Sequence, residues 1–339
     1  MDAEPSAEVV ALSNTIAAKV AREARDSPLS QSLTEEELVA SAHMLAGKVV
    51  VITGAASGFG KLFSVKAAGY GAKLVMGDRN LAGLEQVVQK IESAGGKAVA
   101  IECDVTNWDQ QYKLFELAVK SFGRVDVVIP NAGIALVGDK GFLNPDKETD
   151  GRLKEPSLAT TRVNLFGLMY TAKLGLAFLD KNEEVDGIKG RLVLIGSVAS
   201  IVGFPSGPEY TVTKHGVLGL YRSIFYDCIA YKVVLSICCP WFVDTPLLEP
   251  QVLLLISGLP RATQEDVVNS FVYASVATQS GNVLATDHLG VFSLPHATFE
   301  ASDGTGYYKQ LMTRSIGAIK VDKIVNDGLG AILRTYCLH

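Results

Sequence analysis

From Lys48 onward, short and nearly continuous apolar runs alternate with longer amphipathic stretches, and no other feature constrains the fold as strongly. VVVIT leads into a helical stretch from Phe59, KLVMG into one over residues 80–94, KAVAIEC into one over 107–121, and VDVVI follows at 125–129. A strand covered on both faces is apolar at successive positions, whereas a strand with one wet face alternates. Runs of the first kind separated by helices give the βαβ rhythm of a parallel sheet. A polar stretch with Gly and Pro, GDKGFLNPDKETDGRLKEP, delays the next helix to about residue 157 and predicts a surface insertion over 134–156. The rhythm resumes with a helix to about 180, the strand RLVLIG, a helix over 210–231 and the strand KVVLSICC; 263–278 reads as helix and GNVLAT as the last strand. The predicted fold is α/β: a Rossmann-like, doubly wound parallel sheet with helices on both faces, in a single domain.

That domain is predicted to span residues 47–296, with a helical arm before it and a C-terminal extension after it, over 297–339. In the arm, Val9, Leu12, Ile16 and Val20 fall at helical spacing, and Thr34 with Glu37 forms a capping box for a second helix. The extension is expected to end in a helix near 321–335. With 48% hydrophobic and 20% charged residues, a chain of 339 residues has ample material for a large core. A formal charge of -5 provides no basic excess, so neither nucleic acid nor an anionic membrane surface is expected as the main partner, and a small molecule is. Five cysteines without a CxxC pair read as structural thiols in a reducing compartment. The acidic start MDAEPSAEVV lacks the basic and apolar regions of a signal peptide, and VLLLI is too short for a membrane span. The expected setting is soluble and cytoplasmic.

TGAASGFG, at 53–60, joins the first strand to the first helix. Glycines there permit a tight turn and let backbone N–H groups at a helix N-terminus approach a pyrophosphate. Gly54, Ser57, Gly58, Phe59 and Gly60 are therefore the candidate dinucleotide cradle, spaced G-x-x-x-G-x-G rather than G-x-G-x-x-G, with Phe59 expected to pack beneath the cofactor. The second strand ends on Asp78, where a carboxylate would accept hydrogen bonds from adenosine ribose hydroxyls and repel a 2'-phosphate, as NAD requires. The lesser alternative for this carboxylate is a turn residue capping the next helix. Arg79 beside it keeps NADP as the alternative cofactor.

RLVLIGSVASIVG places Ser197 just past the carboxyl end of a buried strand, the edge where open parallel sheets bind ligands. EYTVTKHG then sets Tyr210 and Lys214 four apart at the mouth of a helix, a spacing that by itself shows only that they adjoin. A phenol titrates near a pKa of about 10, too high for a good base at neutral pH, and an adjacent ammonium with a nicotinamide cation would lower it. Lys214 is thus expected to tune Tyr210, while Ser197 holds the substrate oxygen and hydride leaves carbon for the nicotinamide.

TGAASGFG, Asp104 in CDV, PNAG at 130–133, Asn164 in RVNLFG, Ser197 in IGS, YTVTK and PWFVDT at 240–245 together resemble the short-chain dehydrogenase/reductase family over about residues 47–296. FGRVDVV, TKHGVLG and CCPWFVDT look most like the branch that holds 15-hydroxyprostaglandin dehydrogenase. The resemblance implies a catalytic tetrad of Asn164, Ser197, Tyr210 and Lys214, with Asn164 holding a water in a proton relay through Lys214. It also implies that Asp104 and Val105 meet adenine, that Asn131, Ala132 and Gly133 line the cofactor, and that Pro240, Val243 and Thr245 lie at the nicotinamide, where Val243 and Thr245 reach its amide. Tyr210 and Lys214 would touch the cofactor as well. Pairing of the two long helices, by the same analogy, predicts a homodimer or homotetramer.

Three departures stand out. Pro130 replaces the family's usual first asparagine, and Trp241 replaces the glycine after Pro240, which puts a bulky side chain in the loop over the nicotinamide and disfavours φ above zero. The insertion and the C-terminal tail are the third. PLLEPQVLLLISGLP is in the region that closes over substrate, and its apolar density predicts a bulky, largely hydrocarbon alcohol or ketone, although such residues also pack helices onto cores. His215, His288 and His296 fit no ligand spacing, so no metal is assigned. The predicted activity is NAD-dependent interconversion of a secondary alcohol and a ketone on a lipid-, steroid- or terpenoid-like compound. An NADPH-dependent ketoreductase and a non-redox protein reusing the fold are the alternatives.

Overall fold

The computed structural model describes residues 31–135, 147–203, 207–245 and 261–294. The strands are β1 (Gln31–Leu33), β2 (Val49–Thr53), β3 (Lys73–Asp78), β4 (Lys97–Glu102), β5 (Val127–Ile129), β6 (Gly190–Ile195), β7 (Val233–Pro240), β8 (Asn282–Asp287) and β9 (Gly290–Leu294). They form one sheet in the order β1-β9-β8-β7-β6-β5-β2-β3-β4. From β8 to β4 every pairing is parallel; β9 and β1 add two antiparallel strands at one edge.

The helices are α1 (Glu35–Val39), α2 (Gly58–Gly69), α3 (Leu81–Ser93), α4 (Trp108–Phe122), α5 (Ala159–Thr161), α6 (Leu168–Leu179), α7 (Pro208–Ser223), α8 (Phe225–Ala230) and α9 (Gln264–Val276). Alternate residues of each central strand enter opposite cores, as the pleat requires. Val50 and Ile52 of β2 pack with Phe63, Leu84 and Phe271 from α2, α3 and α9, whereas Val49 and Val51 pack with Phe115, Leu174 and Val217 from α4, α6 and α7. All four β2 side chains are fully buried. Burial of each such side chain contributes about 1.5–3 kcal/mol, and it explains why this strand is apolar at every position.

The predicted capping box of the arm is present: Thr34 accepts from the Glu37 amide, and the Glu37 carboxylate accepts from Thr34 N–H at 2.8 Å. The arm also contains a strand. Gln31–Leu33 pairs with β9, and neither β1 nor β9 was predicted. The helix predicted over 210–231 is broken at Ile224 into α7 and α8. The helix predicted to run to about 180 begins with α5 and passes through a π-helical turn, Arg162–Gly167, before α6. The helices predicted near Val9 and near 321–335, residues 136–146 of the insertion, and the apolar segment after Thr245 lie outside the described residues.

Four cysteines, Cys103, Cys228, Cys238 and Cys239, are free and buried. Burial pushes Cys103, Cys228 and Cys239 up to about 12 and Cys238 higher still. Because the folded values are raised, the stability these thiols confer is complete below the unfolded thiol value and is lost as pH rises toward the folded one. Buried Lys214, pushed down to about 8, acts in the opposite direction, but it is one group against four. The melting temperature should therefore fall between about pH 9 and 11, and Cys228→Ala should make that fall shallower. Thermal melts across that range check this, and a flat or rising melting temperature contradicts it.

Candidate active site

The sheet order reverses direction between β2 and β5: from β2 the chain moves outward to β3 and β4, then returns to β5 on the other side. Two loops leaving adjacent strands in opposite directions open a crevice at their carboxyl ends. The glycine loop lines one wall. Gly54 has φ 69° and Gly58 has φ 51°, left-handed values that favour glycine. Ser57, the N-cap of α2, is extended and makes no side-chain cap bond, so the first amides of α2 are left for an outside acceptor. At Gly60 a Cβ would lie 2.2 Å from the Gly54 carbonyl oxygen and 2.7 Å from Asn131 Nδ2. The cradle closes only because that atom is missing.

PNAG forms the other wall. Asn131 donates to the carbonyls of Thr53 at 2.9 Å and Gly54 at 3.1 Å, and the Ala132 amide donates to Thr53 Oγ1. Pro130 does not disturb these bonds. Gly133 lies next to Asn164: a Cβ on it would be 3.4 Å from Asn164 Oδ1. Phe59 packs edge-on against Phe271 of α9, so its ring supports the loop from the core side.

Asp78 closes β3, and its two oxygens accept from the amides of Ala56 and Asn80, each at 3.0 Å. The cap of α3 is Asn80, whose side chain accepts from Gly83 N–H. Asp78 is therefore not the helix cap. Each of its oxygens keeps a lone pair, enough to receive two hydroxyls. Arg79 is 75% exposed, with Nε 3.9 Å from an Asp104 oxygen. Asp104 also accepts from the Thr106 amide and hydroxyl. Val105 turns its side chain into Gly167, where an added Cβ would lie only 2.7 Å away.

On the far side of the crevice, Ser197 caps a short 3-10 turn, Val198–Ser200, directly after β6. Its hydroxyl accepts from Ala199 N–H at 3.1 Å, donates to the Pro240 carbonyl at 3.3 Å, and lies beside the Tyr210 phenol. Lys214, one turn along α7 from Tyr210, donates to the Ile195 carbonyl at 3.0 Å, and its Nζ is 5.7 Å from the Tyr210 ring centre. Asn164 is buried in the π turn, accepting from Ile134 N–H and donating to Ile134 C=O, both at 2.8 Å. Such π turns are frequent where a helix meets a functional site. One N–H and one oxygen lone pair of the Asn164 amide remain beyond these two bonds.

In the protein alone, burial pushes the Tyr210 phenol above its ordinary value, and the neighbouring Ser197 hydroxyl only partly opposes it. The Lys214 amine is itself pushed down to about 8 by burial, opposed by the neighbouring Cys239. Desolvation dominates both shifts, because removal from water makes either charge costly to form.

Val243 is buried in the core, and Thr245 is the last described residue of its loop. Trp241 has no positive φ, consistent with its sequence; its amide donates to the Thr286 carbonyl, and its indole packs edge-on against Phe242. His215 bonds Thr211 C=O through Nδ1, and among the described residues no cluster of His, Cys, Asp or Glu has a metal-binding arrangement. Sequence reasoning missed Gln111, whose buried amide donates to the carbonyls of Val105 at 2.6 Å and Gly167 at 2.9 Å, joining the loop after β4 to the π turn. Its signal was a lone polar residue on the buried face of α4, beside Leu114, Phe115 and Ala118. Glu209, also missed, sits beside Tyr210 as a buried acid.

Gly60→Ala should force the loop and Asn131 apart and destabilise the protein by about 1–3 kcal/mol. Gly69→Ala, near the end of the same helix and with nothing within 4 Å of an added Cβ, should be neutral or stabilising. Denaturant unfolding of both variants tests this, and equal stability for the two would refute the close approach.

The short chain dehydrogenase family profile matches residues 48–252, more than half of the chain. The chain is 30% identical over 267 residues to 5'-hydroxyaverantin dehydrogenase of Dothistroma septosporum, covering 74% of this chain and 87% of that protein. It is 33% identical to 3beta-hydroxysteroid dehydrogenase of Mediterraneibacter gnavus, over 60% of this chain and 68% of that one. It is 32% identical to 15-hydroxyprostaglandin dehydrogenase [NAD(+)] of Mus musculus, over 60% and 70% of the two chains. The fold is similar to a short-chain type dehydrogenase/reductase from Mycobacterium marinum, 24% identical, with a TM-score of 0.63 over 74% of this chain and 98% of that one. With the sheet, its crevice and the matched span in agreement, the chain belongs to the short-chain dehydrogenase/reductase family, NAD(P)-dependent oxidoreductases that act on CH–OH groups.

Proposed function

We propose that this protein is an NAD-dependent dehydrogenase that interconverts a secondary alcohol and a ketone on a bulky apolar compound. The observation that carries this reading is that Lys214, 5.7 Å from the Tyr210 ring centre, donates to the Ile195 carbonyl two residues before Ser197, which gathers all three at the carboxyl edge of the sheet. When bound, the nicotinamide supplies the hydride acceptor. Tyr210 is the proton acceptor for the alcohol oxygen, and Ser197 holds that oxygen by exchanging its 3.3 Å bond to Pro240 for one to substrate. Lys214 spends one N–H on Ile195 and has two others for a ribose hydroxyl or the phenol oxygen. Asn164 acts through position, fixing the Ile134 backbone beside Gly133.

The NAD preference rests on Asp78, whose unused lone pairs suit ribose hydroxyls and whose charge opposes a 2'-phosphate. The mouse relative named for NAD(+) agrees with it. The exposed Arg79 favours the alternative, an NADPH-dependent ketoreductase with the same tetrad. Support for an apolar substrate comes from relatives named for a hydroxysteroid and a hydroxyprostaglandin. Phe166, Met169 and Val212 are exposed at 48%, 43% and 61% on the π turn, α6 and α7, which supports pairing into a homodimer or homotetramer. A cytoplasmic setting is supported by the four free thiols. No described helix is long and apolar enough to cross a membrane.

Tyr210→Phe should abolish turnover, by at least about a hundredfold, with NADH affinity within about twofold of wild type; retained turnover contradicts the role. Fluorescence titration should show tighter binding of NADH than of NADPH, and the reverse order overturns the cofactor assignment. Because burial raises the phenol, its base form is populated only at alkaline pH. Alcohol oxidation should therefore rise with pH and ketone reduction fall, and parallel pH–rate profiles in the two directions would contradict this.

A further inference from the structure

Glu209 is acidic and only 7% exposed, a costly arrangement unless the carboxylate has a partner. It stands in the first turn of α7, immediately before Tyr210. One of its oxygens, Oε1, accepts two hydrogen bonds from Thr161, from the backbone N–H at 2.8 Å and from the hydroxyl at 2.9 Å. The other, Oε2, has no hydrogen-bond partner among the described residues. Thr161 ends α5 and directly precedes the π turn that holds Asn164. The helical ladder there begins with Arg162 N–H on the Leu158 carbonyl, so Thr161 N–H is one of the leading amides that a helix leaves without an internal acceptor. Glu209 supplies that acceptor from another helix.

We infer that Glu209 is a positioning residue: through Thr161 its carboxylate clamps the helix bearing Asn164 to the helix bearing Tyr210 and Lys214, and so sets the spacing of the reacting groups. The clamp joins two points close to the chemistry. Glu209 is one residue from Tyr210, and Thr161 is three from Asn164, whose amide in turn fixes the Ile134 backbone beside Gly133. No side chain other than Glu209 is recorded bridging Thr161 to α7 among the described residues. Oε1 takes both bonds, so the clamp needs an acceptor oxygen, and a glutamine keeps one while an alanine does not.

This inference rests on the dehydrogenase reading, and two measurements separate their failures. Steady-state kinetics of Glu209→Ala should show kcat reduced by about tenfold or more with NADH affinity within about twofold of wild type, because misplacement of reacting groups lowers turnover without touching the cofactor cradle. Glu209→Gln should restore kcat to within about threefold of wild type. Hydrogen exchange should show faster exchange of the amides from Thr161 to Leu168 in the alanine variant and near-native protection in the glutamine variant. If Glu209→Ala does not fold, Thr161→Val takes its place, removing one of the two bonds, with kcat expected to fall by about threefold. Unchanged kcat or unchanged exchange in Glu209→Ala, or in Thr161→Val where that replaces it, overturns the clamp. A wild-type protein that turns over no alcohol or ketone sinks the dehydrogenase reading instead, and the exchange result still decides whether the carboxylate holds the helix.

Discussion

Two hydrogen bonds from one half-buried side-chain amide hold the working edge of the sheet in place. Asn131 leaves β5 and donates to the carbonyls of Thr53 and Gly54, which leave β2, so the two loops that diverge at the switch in strand order are tied to each other. Without that tie, the glycine loop would have to satisfy two carbonyls elsewhere, and buried backbone acceptors are seldom left unpaired. Its geometry also explains why Gly60 has no side chain: the Asn131 amide and the Gly54 carbonyl together occupy the space a Cβ would take. Loop closure and the missing Cβ both follow from that one contact, made where the strand order switches.

Across the crevice, the same economy governs the polar groups. Lys214 is anchored to the Ile195 carbonyl at the end of β6, and Ser197 begins two residues later, so one strand end positions both. Tyr210 reaches this point from α7, which approaches from the opposite direction. Enclosure gives these groups unusual acidities of opposite sign, the phenol up and the amine down. Both shifts favour the neutral forms, so in the protein alone the pocket resists charge until something else enters to compensate it.

Much of this was legible in the sequence, and the reasons differ by element. The central strands were plain because a strand buried on both faces cannot alternate: VVVIT and RLVLI read correctly for that cause. The glycine loop, Asp78, Ser197, Tyr210 and Lys214 were legible because each lies at a strand end or helix mouth fixed by that rhythm. The edge strands β1 and β9 were not, since three to five residues at a sheet margin carry too little pattern to separate from loop. The π turn leaves no mark in a periodicity of 3.6, and the break at Ile224 contains neither proline nor glycine to announce it. Glu209 and Gln111 escaped because their partners, Thr161 and Gly167, are distant in sequence.

The central claim is that Ser197, Tyr210 and Lys214 converge on one reacting carbon at the sheet's carboxyl edge. A crystal structure of the protein with NADH and an unreactive ketone analogue tests it most directly. The account predicts the analogue's oxygen within about 2.6–3.2 Å of both the Tyr210 and Ser197 hydroxyls, with the carbon facing the nicotinamide ring. A phenol oxygen turned away from the nicotinamide, or a crevice closed to the nucleotide, would contradict it.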